Sequence, residues 1–252
     1  MSDFYVGYLP KAPAALARRT KRTVALLLIL VATASVLFAI SQRTVSTPAT
    51  FEFGHERVFE GIMVASPYPA LLVARPNASA NEPQYSYYSV VAPGKHGADS
   101  IASSFDRNVV RLRGTLVYRE DQTMVEVVPD SIGALDTNPS ALPASDKLGR
   151  FTLTGEIVDS KCNFGVMNPG RGKVHKDCAV RCLSGGIPPA FVTHDFQGRP
   201  ATLLLTTDRG KPLPKETFLG HVAQPLQLRG VVRKTGDELF FEVEPSSISN
   251  SR

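Results

Sequence analysis

Residues 108–132 read NVVRLRGTLVYREDQTMVEVVPDSI, and residues 224–248 read QPLQLRGVVRKTGDELFFEVEPSSI. At a constant offset of 116 and with no gap, nine of the 25 positions are identical. They include Leu112/Leu228, Arg113/Arg229, Gly114/Gly230, Glu126/Glu242, Val127/Val243, Pro129/Pro245 and Ile132/Ile248. Such regularity marks duplication of one structural unit. Each copy alternates apolar and polar residues, breaks at a turn (Arg119–Gln122 and Thr235–Asp237), and alternates again. That is the pattern of a strand hairpin. The paired glycines fall inside the first strand, where a bulge or sharp coil is expected.

The correspondence extends upstream. RVFEGIMV (57–64) matches FTLTGEIV (151–158), ALLVARP (70–76) matches AFVTHD (190–195), and YSYYSVV (85–91) matches ATLLLTT (201–207). ADSIASSF (98–105) and LPKETFLGHV (213–222) are short helix candidates, each with a capping residue or proline near its start. Both halves therefore run strand, strand, strand, short helix, strand, strand. This is the element order of an OB-fold, a five-stranded, partly open barrel; a two-repeat β-sandwich is the alternative.

Ahead of the repeats, TVALLLILVATASVLFAI (23–40) holds 18 residues without a charge. At about 1.5 Å per residue it reaches about 27 Å, enough to cross a bilayer core, and it lacks the polar face of a soluble helix. A cleaved signal peptide is the rival, with Ala32-Thr33-Ala34 as its cleavage site, but the apolar run continues to Ile40. The expected organisation is a cytoplasmic basic and aromatic tail (1–22), a transmembrane helix (23–40), a linker (41–56), OB-like domain 1 (57–132), a second linker (133–150) and OB-like domain 2 (151–248). The fold class is mainly β: one transmembrane helix, then two tandem OB-fold-like β-barrels.

The chain has 252 residues, 43% hydrophobic and 20% charged, which supports a packed core. Its net charge of +5 is uneven. Lys11, Arg18, Arg19, Lys21 and Arg22 against Asp3 place +4 in the first 22 residues, leaving 23 basic and 22 acidic groups beyond. The positive-inside rule then puts the N-terminus in the cytoplasm of a bacterial inner membrane and the barrels in the periplasm. With the outer part near neutral and Trp absent, nucleic-acid binding is not expected. Phe4, Tyr5, Tyr8 and Leu9 in MSDFYVGYLP have two readings, an interfacial aromatic belt or a docking segment for a membrane subunit.

The repeats differ most at one place. Their offset is 94 at Gly61/Gly155 but 119 at Val73/Val192, so the second copy carries about 25 extra residues between its first two strands. This insertion, DSKCNFGVMNPGRGKVHKDCAVRCLSGG (159–186), contains all three cysteines and a local charge of +3. In an OB-fold that connection borders the ligand face. VHKDCAVRCL reads as a helix that places His175, Cys178 and Cys182 on one face at i, i+3 and i+7.

Together with Cys162, these make a four-ligand set for Zn, Cu or an Fe–S centre. In an oxidising periplasm a disulfide competes, from Cys162 to Cys178 or Cys182. Cys178 and Cys182, one helical turn apart, stand too far from each other for a relaxed bridge. Thiol redox is a third reading, and no CxxC or CxxCH motif is present. Asp159 is either a partner that orients His175 or a strand-end turn residue. His55, His96, His194 and His221 lack motif spacing.

The Asp159-Ser160-x-Cys162 strand end, followed by His175-x-x-Cys178-Ala179, Cys182 and Gly185-Gly186, resembles a family of small secreted bacterial OB-fold-like proteins. The resemblance covers 151–248, about two-fifths of the chain, and implies an extracytoplasmic OB-like module rather than a particular reaction. The chain contains no GxSxG or HExxH motif, and no catalytic constellation is legible. The expectation is therefore a non-catalytic, membrane-anchored accessory subunit of a membrane complex, respiratory or electron-transfer in kind. The alternative is a periplasmic metal- or redox-active binding protein that uses the cysteine cluster.

Overall fold

The computed structural model describes residues 11–43, 49–79, 82–137 and 141–249. The chain divides into two compact units, one ending at residue 47 and the other running from residue 48 onward. In the first, helix α1 spans Ala14–Arg43, 30 residues. Within its segment 14–41, an 18-residue apolar window has a mean hydropathy of 2.7 and no buried residue, so the helix is long and apolar enough to cross a membrane. The helix starts nine residues before the apolar run, because Ala14–Arg22 are strong helix formers that extend it. Phe4, Tyr5, Tyr8 and Leu9 lie outside the described residues.

The second unit is mainly β. The repeat at its start supplies β1 (Ala49–Val64), β2 (Ala70–Ala74), β3 (Tyr85–Val91), helix α2 (Asp99–Ser103), β4 (Val109–Arg119) and β5 (Gln122–Val127). A short strand, β6 (Gly133–Ala134), pairs with β4. Strand β1 is antiparallel to both β2 and β4, β2 to β3, and β4 to β5, while β3 and β5 run parallel. The pairings thus return to β1.

The other repeat follows the same plan. It comprises β7 (Ser145–Asp159), helix α3 (Lys176–Ser184), β8 (Pro189–Phe196), β9 (Arg199–Thr207), helix α4 (Lys215–Phe218), β10 (Pro225–Thr235), β11 (Glu238–Val243) and the terminal helix α5 (Pro245–Ser249). Here β7, β8, β9, β11 and β10 close into a five-stranded barrel, again with one parallel pair, β9 with β11.

Two expected boundaries move. Strand β1 begins at Ala49, inside the expected 41–56 linker, and β7 begins at Ser145, inside the expected 133–150 linker. In each case the long partner strand extends the ladder: β4 pairs back to Ala49 and β10 pairs back to Ser145. The paired glycines do not carry bulges, since the register runs unbroken through Gly114 and Gly230 and shifts instead at Phe51/Glu56 and Val232/Arg233. A Cβ on Gly114 would strike the Val125 side chain, and one on Gly230 would strike the Glu242 carbonyl. Glycine is needed there for close strand approach.

Four apolar clusters organise the described residues of the second unit, the fourth lying under the cysteine insertion. One fills the closed barrel around Leu153, Phe191, Leu203, Phe241 and Leu228. Another fills the first repeat around Met63, Leu71, Val110, Leu112 and Val125. A third joins them, with Ile62, Leu72, Tyr68 and Tyr87 packed on Val158, Val192, Leu204 and Phe240. Polar contacts fix this junction. Tyr68 donates its hydroxyl to the Leu205 carbonyl at 2.6 Å and accepts from Leu213 N–H at 3.2 Å. Asp237 pairs with Arg75 at 2.5 Å and accepts from Tyr87 N–H at 2.6 Å. The two repeats therefore share one core, and the cysteine insertion is set against both.

A candidate metal centre in the cysteine cassette

Strand β7 ends at Asp159, and the chain turns at once into a π-turn over Cys162–Val166. A cis Asn168-Pro169 bond and a positive-φ Gly172 bring it around to a single 3-10 turn, Lys173–His175, that leads into α3. The insertion lies between the first two strands of its repeat, where the sequence places it. Met167 and Val174 are exposed, but the apolar side chains around the cysteines are packed. Cys162, Phe164, Cys182 and Ile187 pack on Val91, Val117 and Met124 of the first repeat, with Phe51 and Val166 alongside. Phe164 is fully buried there.

A buried lysine ties this turn down. Lys161, 2% exposed, donates its ammonium to the carbonyls of Ala92 at 3.0 Å and Gly94 at 2.7 Å, and pairs with Glu126 of β5. A buried charge is tolerated only when its donors are satisfied this fully. The loop so gripped, residues 92–98, also meets the end of α3: Gly97 N–H donates to the Gly185 carbonyl at 3.0 Å. A Cβ on Gly185 would run into the Lys95 carbonyl, so glycine is required for the loop to lie this close.

The result is a convergence of sulfur. The Sγ atoms of Cys162, Cys178 and Cys182 all lie within 4.8 Å of one another. Cys162 and Cys182 are buried at 3% and 2% exposure, and Cys178 is half-buried at the mouth. Lys95, exposed on loop 92–98, donates from Nζ to Cys178 Sγ at 3.1 Å. That contact raises the Lys95 pKa. The Cys182 thiol is pulled down to about 7, chiefly by a hydrogen bond from Cys162 and further by Lys95 and Cys178, against the opposing effect of burial. Cys162, as the donor in that pair and beside Asp159, is pushed up. Cys182 is therefore the first of the two to ionise.

All three cysteines, the candidates for a disulfide from Cys162 to Cys178 or Cys182, are free thiols in this structure. Their sulfurs sit as a three-fold group. The expected four-ligand set also changes. His175 groups with Asp159 and Cys162, whose ligand atoms lie within 4.8 Å of each other, and forms no such group with Cys178 and Cys182.

The reason is local. His175 belongs to the 3-10 turn before α3, so the helical spacing that aligns it with Cys178 does not apply. Its Nε2 lies 3.1 Å from Asp159 Oδ2, while Asp159 Oδ1 accepts from Cys162 N–H at 2.8 Å. Asp159 thus fills both roles read from the sequence, orienting the histidine and capping the turn. Sequence reading missed Lys95 and Lys161 as parts of the site, because their partners lie 83 and 67 residues away.

Three thiols at this separation suit a soft metal ion, for which thiolate is the preferred ligand. At a metal–sulfur distance of about 2.3 Å, three sulfurs around one ion stand about 4 Å apart. Closing the triad onto an ion therefore needs a displacement of an ångström or less. No family model, curated protein or solved structure matches the chain.

Proposed function

We propose that this chain is a membrane-anchored, extracytoplasmic accessory protein whose working part is a thiol site for a soft metal ion. In this reading α1 is a single-pass anchor in a bacterial inner membrane, with the N-terminus cytoplasmic and the β unit periplasmic. The strand circuit 1-2-3-5-4-1, with one parallel pair, is that of an OB-type barrel, so both repeats are taken as OB-like modules. They serve as a frame and carry no catalytic residues. The single observation that carries the reading is the convergence of three thiols, two of them buried, within 4.8 Å. Structural cysteines that only fill space have no need to meet at one point.

The long apolar helix favours a second element of the reading, an association with subunits of a membrane complex, respiratory or electron-transfer in kind. A soft-metal site facing the periplasm fits such a setting. The test is purification of the native protein in mild detergent, with subunit identification and metal content measured on one sample. Stoichiometric metal and stable co-purifying subunits support the reading. A lone chain with no metal and one internal disulfide contradicts it.

A further inference from the structure

Resting on that reading of the thiol site, we infer that the ion it takes is Cu(I), held trigonally by Cys162, Cys178 and Cys182, with Lys95 as the cationic partner of the sulfurs. Ligand number decides first. Zn(II) in a structural site takes four protein ligands in a tetrahedron, whereas Cu(I) is a soft ion selected by thiolates and satisfied by fewer. No fourth donor gathers with all three sulfurs: His175 and Asp159 group with Cys162 alone. His175 is paired with Asp159, and the remaining surroundings of the triad, Lys95 apart, are apolar: Val91, Val117, Met124, Phe164 and Ile187. The Lys95 ammonium, 3.1 Å from Cys178, is a donor and not a ligand.

Charge points the same way. Three thiolates around Cu(I) leave a net of −2, which is costly in an apolar setting unless cations stand close. Lys95 touches the triad directly, and the insertion itself is basic, with Lys161, Arg171, Lys173, Lys176 and Arg181 against Asp159 and Asp177. Binding is a plain exchange of three thiol protons for one Cu(I), with no change in oxidation state. Cys178 and Lys95, at the rim, mark the way in, and the two buried cysteines complete the site.

The test uses the full chain in detergent, reduced and kept anaerobic, with Cu(I) supplied from a chromophoric Cu(I) chelator. The expected result is one Cu(I) per chain and an X-ray absorption spectrum of three sulfur neighbours. Cys178→Ser weakens binding at least about 100-fold, and Lys95→Met weakens it about 10-fold, with Lys95→Arg restoring most of the loss. Lys95 is exposed, so its variants test the site without threatening the fold. His175→Ala leaves Cu(I) affinity within about 3-fold.

Preference for Zn(II), with a tetrahedral sulfur–nitrogen spectrum on Co(II) substitution that is lost in His175→Ala, overturns the Cu(I) inference but leaves the soft-metal reading standing. Binding of neither ion by the reduced chain overturns both.

Discussion

The buried Lys161 ammonium is the strut of the site, and its removal has a size that follows from its contacts. Methionine at this position keeps the stem but leaves the Ala92 and Gly94 carbonyls and the Glu126 carboxylate without their donor. A hydrogen bond to a charged group contributes about 1.5–3 kcal/mol, and breaking a buried ion pair costs about 3–5 kcal/mol. Because the contacts share one ammonium, the figures overlap. Glu126 keeps 20% side-chain exposure and recovers some hydration. The loss for Lys161→Met is therefore about 4 kcal/mol.

For a unit of this size, each kcal/mol lowers Tm by about 2–4 °C, so a fall of about 8–16 °C is expected. Calorimetry of the full chain in detergent reads it. A second variant separates ion-pair loss from packing loss: in Lys161→Met, adding Glu126→Gln removes the stranded charge and returns part of the Tm. Hydrogen exchange should quicken in loop 92–98 and hardly change in the closed barrel. A Tm within 2 °C of the parent would refute the view that Lys161 holds the cassette to the first repeat.

Further outcomes follow from the same packing. Gly185→Ala places a methyl group against the Lys95 carbonyl, so loop 92–98 must retreat. The variant should lose about 2 kcal/mol in urea unfolding, and Cys178 should be alkylated faster as Lys95 is drawn away. Phe164→Ala empties a fully buried ring site between the insertion and the first repeat and should cost about 3–5 kcal/mol by the same measurement.

Glu238 sits buried at the junction of the repeats, where desolvation, reinforced by Asp237 and Asp121, raises its pKa from 4.5 to about 8 against the lowering effect of Leu239 N–H. The fold holds this carboxyl neutral, so its contribution is fully present below the unfolded value near 4.5 and is lost as pH rises through about 8. Glu238→Gln should flatten the fall in stability between pH 5 and 9, read by urea unfolding across that range. An unchanged slope would show that another group sets it.

Much of the fold is legible in the chain because the duplication repeats its own punctuation. Strand β3 coincides with YSYYSVV, and the hairpins fall where LRG and EV-P recur. Those elements depend on alternation and turns, which are local. The boundaries of β1 and β7 were not legible, since both strands are prolonged by pairing with β4 and β10 far along the chain.

The site shows the same division. Its three cysteines and Asp159 stand out from spacing alone, while the place of His175 depends on one turn being 3-10 instead of α-helical. Lys95 carried no mark in the sequence: its role arises when Gly97 and Gly185 let two backbones meet. The cysteine-free repeat supplies both the cover of the thiols and the cation beside them.

The central claim is that the three thiols form one ligand site. It is tested most directly by counting metal and reactive thiols on the same native sample, drawn from membranes into mild detergent. The account predicts one soft-metal ion per chain, no disulfide, and three cysteines that resist alkylation until the metal is removed. One Cys162–Cys182 or Cys162–Cys178 disulfide, a single reactive thiol and no metal would contradict it.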